Sequence, residues 1–143
     1  VDERFTTEEC DQIRQGAATW PVPIDLLFNQ RVSPWDTDRR VIVRADPSLL
    51  GAAYPSAKTT TAGVNLGYTR ILIVPERAVN SPLWWIVAHE LGHGFRIPDL
   101  TDHKALMYGS LDYEQVRWCV TDTDAYAYWN ATGEHIESTC EKL

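Results

Sequence analysis

The stretch "HELGHGFRIPDLTDHKALMYGS", His89 to Ser110, decides how this chain is read. His89, Glu90 and His93 form H-E-x-x-H. Four residues is about one helical turn, so both imidazoles project from one face and can share a metal ion, with Glu90 beside the first of them. The surroundings predict the helix. Ser81 is placed to cap it, Pro82 suits its first position, and the residues from Leu83 to about Phe95 are mostly apolar, so the helix should be buried on most sides. A bland alternative makes these two core histidines and a surface glutamate. It leaves polar groups in an apolar helix without partners, which costs stability. Zinc suits the pair because it accepts nitrogen ligands, has no redox chemistry and brings the pKa of bound water toward ~7.

Two histidines do not complete a site. Asp99 follows His93 by six residues, which lets a tight turn past the helix end bring its carboxylate back. Glu114 lies 21 residues after His93, on the next expected helix, and His103 stands in the loop between. Asp99 leads, Glu114 and His103 follow. The awkward residue is Arg96, which stands where a sharp turn would favour glycine. A non-glycine residue in a left-handed conformation costs about 1–2 kcal/mol. A zinc site in a small domain supplies about 10 kcal/mol or more, so the arginine is tolerable.

The same stretch resembles the metzincin signature, in which H-E-x-x-H-x-x-G-x-x-(H/D) is followed by a methionine turn. The spacing to "ALMY" is most similar to the matrixin branch, and aspartate as third ligand resembles snapalysin-type small bacterial proteases. The close resemblance covers about twenty residues, with a looser one in element order over most of the chain. It implies that His89, His93 and Asp99 bind Zn2+, that Glu90 is general base and acid, and that Met107 is an apolar floor beneath the metal. Tyr108 directly follows Met107 and is given no catalytic role. Arg96 departs from the family's glycine and marks a divergent turn.

Outward from the motif, "FTTEECDQIRQGAATW" reads as an amphipathic helix capped by Thr6 or Thr7, with Ile13, Ala17 and Trp20 on one face and Pro21 and Pro23 ending it. "IDLLF" (24–28), "RRVIVRA" (39–45), "TAGVNL" (61–66) and "TRILIVPE" (69–76) read as strands, with a loop between Asp46 and Lys58. A further helix is expected from near Ser110 toward Trp129, with a break at Thr121–Thr123. The expected fold is α+β: a mixed twisted sheet, an N-terminal helix, a central zinc-binding helix and a C-terminal helix after the methionine turn.

The chain has 143 residues, which fits one domain, 1–143, with 44% hydrophobic residues and six tryptophans to fill a core. A net charge of −7 argues against a nucleic-acid partner, because phosphate binding needs a basic face. The apolar run Leu83–Ala88 is far short of the ~20 residues of a membrane span. Three cysteines leave two readings: a Cys119–Cys140 disulfide with Cys10 free, or three reduced thiols. Asn130-Ala131-Thr132 fits a glycosylation sequon, a pattern common by chance.

The expected function is a zinc metalloendopeptidase, secreted or extracytoplasmic, acting on a peptide or protein substrate that lies along an edge strand "TRILIVP". An aspartate ligand leaves the site less positive than a third histidine, which predicts activity displaced toward higher pH. Two alternatives stand beside it: a gluzincin-like peptidase with Glu114 as third ligand, and a zinc-containing binding module without catalysis.

Overall fold

The computed structural model describes residues 1–32, 41–46, 63–66, 70–78, 81–109 and 118–141. The chain is mixed α+β. Helix α1 spans Thr7–Ala18, strands β1, β2 and β3 span Val41–Arg44, Gly63–Leu66 and Arg70–Ile73, and a single 3-10 turn covers Pro75–Arg77. Helix α2 is Leu83–Gly94 and helix α3 is Asp122–Thr132.

Helix α1 starts as its sequence implies. Thr6 is the cap, its hydroxyl accepting from the Glu9 N–H at 3.1 Å while the Glu9 carboxylate accepts from the Thr6 N–H at 3.0 Å. Ile13, Gly16 and Ala17 form the buried face. Gly16 lets α1 lie close on α2: a Cβ there would stand 2.6 Å from the Trp84 carbonyl oxygen. Trp20, just past the helix, is buried and donates its indole N–H to the Ala88 carbonyl at 2.8 Å.

The sheet has the order β1-β3-β2, with β1 parallel and β2 antiparallel to β3. Alternation sorts its side chains. Ile42, Ile71 and Ile73 meet Ile13 of α1 and Ile86 and Val87 of α2 on one face, and Val43, Leu72 and Val74 cluster on the other. Strand β3 is thus central, paired on both sides over residues 70–73, and is not the expected edge strand. Among the described residues β2 is an edge.

Two other expectations are corrected. "IDLLF" keeps an inside–outside alternation, with Leu27 exposed, but joins no ladder among the described residues. The edge of β1 is already taken, since Asp2 donates its N–H to the Ile42 carbonyl at 2.9 Å and bridges to Gln30 on its other side. Ser81 does not cap α2. Pro82, extended at ψ 135°, holds the cap position, and the Trp84 N–H is met instead by the Gln12 side chain of α1 at 3.2 Å. A tertiary partner has replaced a local one.

Every residue of α2 from Leu83 to Glu90 is buried. Trp84, Trp85 and Ala88 of this helix join Trp20, Ile97, Leu106, Met107, Val120 and Tyr128 in a second core cluster. Fully burying one large apolar side chain contributes about 1.5–3 kcal/mol, so this cluster fixes the segment after α2 against the helix. Helix α3 has its own capping box, Thr121 with Asp124, and ends on Gly133 at φ 77°. Of the helix expected from Ser110, residues 110–117 lie outside the described residues, and 118–120 are not helical. A Cys119–Cys140 disulfide closes the C-terminal segment and leaves Cys10 free. Among the described residues no helix is long and apolar enough to cross a membrane.

Candidate metal centre

His89 and His93 stand one turn apart on α2, with ring centroids 4.8 Å apart and planes nearly perpendicular. Each ring is held by its Nδ1. His89 Nδ1 lies 3.0 Å from the Leu106 carbonyl and His93 Nδ1 lies 2.8 Å from the Ile97 carbonyl. A carbonyl can only accept, so both Nδ1 atoms carry the proton and both Nε2 atoms face the other way.

What they face is Asp99. The turn that delivers it is a full Schellman motif. The Arg96 N–H bonds the His93 carbonyl at 2.9 Å and the Ile97 N–H bonds the Gly92 carbonyl at 3.2 Å. Arg96 itself takes the left-handed conformation, φ 68°, that the motif requires and that glycine usually supplies. Its side chain is exposed, and the following Ile97 is buried as the motif's apolar anchor.

Asp99 Oδ1 then lies 3.3 Å from His89 Nε2 and 3.1 Å from His93 Nε2. The three atoms fall within 4.8 Å of one another, and among the described residues the group has these three members. Ligand atoms ~2.0–2.1 Å from a tetrahedral ion are about 3.3 Å apart, so the two distances to Asp99 Oδ1 are those of atoms that share a small divalent cation. Asp99 is 57% exposed, which opens the group to solvent on that side.

The electrostatics agree. Burial alone would push His89 down, but the hydrogen bond to Asp99, the Glu90 charge and the Leu106 carbonyl outweigh it and raise its pKa. The His89 hydrogen bond and the charge of both imidazoles hold the Asp99 carboxyl below the usual carboxylate range. Two nitrogen lone pairs and a carboxylate at this range repel one another unless something positive joins them. Either protons on the rings or a metal ion does so, and the pinned Nδ1 protons leave both Nε2 atoms available to the metal.

A second turn supports the first. Tyr108 N–H bonds the Ala105 carbonyl at 3.1 Å, forming a tight turn that carries Met107. Leu100, next to Asp99, donates to the Met107 carbonyl at 2.8 Å and accepts from the Gly109 N–H at 3.2 Å. Met107 is fully buried, and its sulfur occupies the space a side chain at Gly92 would need, 2.1 Å from a Cβ there. It packs under the helix that bears the histidines. Gly109 lies against the Asp99 side chain, with a Cβ there only 3.0 Å from Asp99 Cβ.

Glu90 is buried, and its side chain packs near Gly63 of β2, where a Cβ would stand 3.1 Å from Glu90 Cγ. His103 does not join the His89–His93–Asp99 group. Its ring lies 4.6 Å from that of Tyr108. Glu114 lies outside the described residues. Sequence reasoning missed Asp124, which is wholly buried and accepts from the Leu106 N–H at 2.8 Å and the Met107 N–H at 3.0 Å. The available signal was the T-x-x-D pattern at Thr121–Asp124, which marks a helix cap and says nothing of the distant turn.

Comparison of the chain with protein-family models, curated proteins and solved structures finds no match.

Proposed function

We propose that the chain is a zinc-dependent endopeptidase of metzincin type, with His89, His93 and Asp99 as metal ligands and Glu90 as general base and acid. The observation that carries the reading is the convergence of two Nε2 atoms on one Asp99 oxygen, with both Nδ1 protons tied to backbone carbonyls. Three protein ligands with one open side are the pattern of a catalytic zinc, while structural sites close all four positions.

A zinc ion held there would supply a Lewis acid for the scissile carbonyl and make water a stronger acid. The chain's own residues do the rest. Glu90 takes the proton of the attacking water on its carboxylate and returns it to the leaving amine. Its burial keeps that carboxylate, on the same helix as the two histidines, out of bulk solvent.

The substrate lies along β2 instead of β3. β3 has no free hydrogen-bonding edge over residues 70–73, whereas β2 is paired on one side among the described residues and passes Glu90 at Gly63. An extended peptide added to that edge brings its backbone to the general base. The disulfide fits folding in an oxidising, extracytoplasmic compartment.

The experiment is a peptide-library digest by the zinc-loaded wild type and by Glu90→Ala. Cleavage lost with zinc retained supports the enzyme. Unchanged cleavage in the variant removes Glu90 from the mechanism, and zinc binding with no cleavage by the wild type favours a binding module. Asp99→Ala and Glu114→Ala, assayed for zinc content, decide which carboxylate is the third ligand.

A further inference from the structure

The carboxylate of Asp124 takes four hydrogen bonds, from two parts of the chain. From its own helix cap come the Thr121 N–H and hydroxyl, both at 2.9 Å. From the turn 105–108 come the N–H groups of Leu106 and Met107. The carbonyl of that same Leu106 is the acceptor that holds His89 Nδ1. One buried side chain is therefore two bonds from a proposed metal ligand, across the Leu106 residue.

We infer that Asp124 is the positioning residue of the metal centre: it fixes the Leu106 carbonyl and thereby the direction in which His89 presents Nε2. The inference rests on the proposed metal site for its consequence, but the orienting contact itself needs no metal. The geometry gives a reason for a charged carboxylate over any other group. Oδ2 accepts three donors and Oδ1 accepts one. An asparagine has one accepting oxygen and one donating nitrogen, so either the Met107 N–H or the Leu106 and Thr121 donors must face another donor. Being wholly buried, the misfit cannot be relieved by water, so the turn must move.

The two histidines differ in this respect. His93 Nδ1 is held by Ile97 within the turn that closes its own helix, with no part taken by Asp124. Asp124 should therefore control His89 and not His93. A merely structural residue would loosen both or neither.

The test compares Asp124→Asn with Thr121→Ala, which strips the helix cap but leaves the Leu106 and Met107 bonds to Asp124 in place. Zinc affinity is measured by competition with a chromophoric chelator, and imidazole nitrogen NMR follows each ring in the metal-free protein. Asp124→Asn is expected to bind zinc roughly 10–100-fold more weakly, the usual effect of losing an outer-shell partner. It should lose the slowly exchanging His89 Nδ1–H and keep that of His93. Thr121→Ala should lower thermal stability while holding zinc affinity within about threefold of wild type.

Wild-type affinity together with an unchanged His89 signal in Asp124→Asn overturns the inference. So does an equal change in both variants, which would mean that Asp124 acts through stability alone. If the wild type binds no zinc, the metal reading fails, and the His89 signal still decides whether Asp124 orients the ring. If Asp124→Asn does not fold, hydrogen exchange in the wild type takes its place. Leu106 N–H, Met107 N–H and His89 Nδ1–H should then share one opening rate, and independent exchange of the His89 proton counts against the inference.

Discussion

Ile97 donates its backbone N–H to the Gly92 carbonyl at 3.2 Å, closing α2 across an arginine held at φ 68°. This bond turns the chain so that Asp99, two residues on, meets both imidazoles. The arginine bears a cost that glycine would not. Arg96→Gly should therefore stabilise the protein by up to about 1 kcal/mol, the left-handed penalty less the extra freedom of unfolded glycine. Arg96→Val should destabilise it by more than about 1 kcal/mol, because a β-branched side chain fits that conformation worst. Urea unfolding of the three proteins checks the order, and a valine variant as stable as the glycine one would contradict it.

Gly109 and Gly92 are places where the site leaves no room for a methyl group. Gly109→Ala puts a Cβ 3.0 Å from Asp99 Cβ and 3.2 Å from its Cγ, so the carboxylate must shift. Zinc affinity should fall about tenfold with little change in fold stability, because Asp99 lies on an exposed loop. Gly92→Ala puts a Cβ 2.1 Å from the buried Met107 sulfur, and overpacking of that kind costs about 1–3 kcal/mol. Zinc titration and thermal melts separate the two, one variant failing in binding and the other in stability.

The response to pH should reverse sign with metal. In chelated protein the raised pKa of His89 means that its contribution is complete below its unfolded value of about 6.5 and is lost as pH rises through the higher folded value. Asp99, with a depressed pKa, contributes above its unfolded value of about 3.9 and loses this as pH falls through the lower folded one. Metal-free protein should thus gain most from the pair between about pH 4 and 6.5 and weaken toward pH 8. Zinc held at the proposed site would compete with protons for the same nitrogens, so the stabilisation it adds should grow over that rise. Melting curves at pH 6 and 8, with zinc and with chelator, check this. Parallel pH trends in the two series would contradict it.

The disulfide should matter to stability more than to the ligands directly. Cys119 and Cys140 are 21 residues apart, and a loop of that size is worth roughly 3 kcal/mol by chain entropy. Beside it, Val120 and Thr139 exchange bonds of 2.8 and 2.9 Å that keep the tail on the start of α3. A reducing agent should lower Tm by several degrees. Mass mapping after alkylation should label Cys10 alone before reduction and all three cysteines after it, and a different pairing would refute the assignment.

Much of this site was legible because its information is local. Thr6 as one of two candidate caps, and His89 with His93 one helical turn apart, are readings of neighbouring residues, and the structure builds both. The turn through Arg96 was also legible as a position wanting a left-handed residue, because the chain must bend there to return Asp99. What escaped depends on contacts distant in sequence. No local pattern reveals that Gln12 caps α2 in place of Ser81, or that Asp2 takes the β1 edge from "IDLLF". The order that makes β3 central is likewise set by pairing between strands, which a run of apolar residues does not encode. Asp124 has no signal in the sequence beyond its place in the Thr121 capping pattern, and its second role exists only once Leu106 and Met107 have been folded onto it.

The most direct measurement is a zinc titration of the metal-free protein, read by calorimetry, for the wild type, Glu90→Gln and His93→Ala. The account predicts one zinc per chain in the wild type, the same stoichiometry in Glu90→Gln, and affinity lost by a hundredfold or more in His93→Ala, since two ligands do not hold the ion. A wild-type chain that takes up no zinc, or a His93→Ala variant that binds it as tightly, would contradict the account.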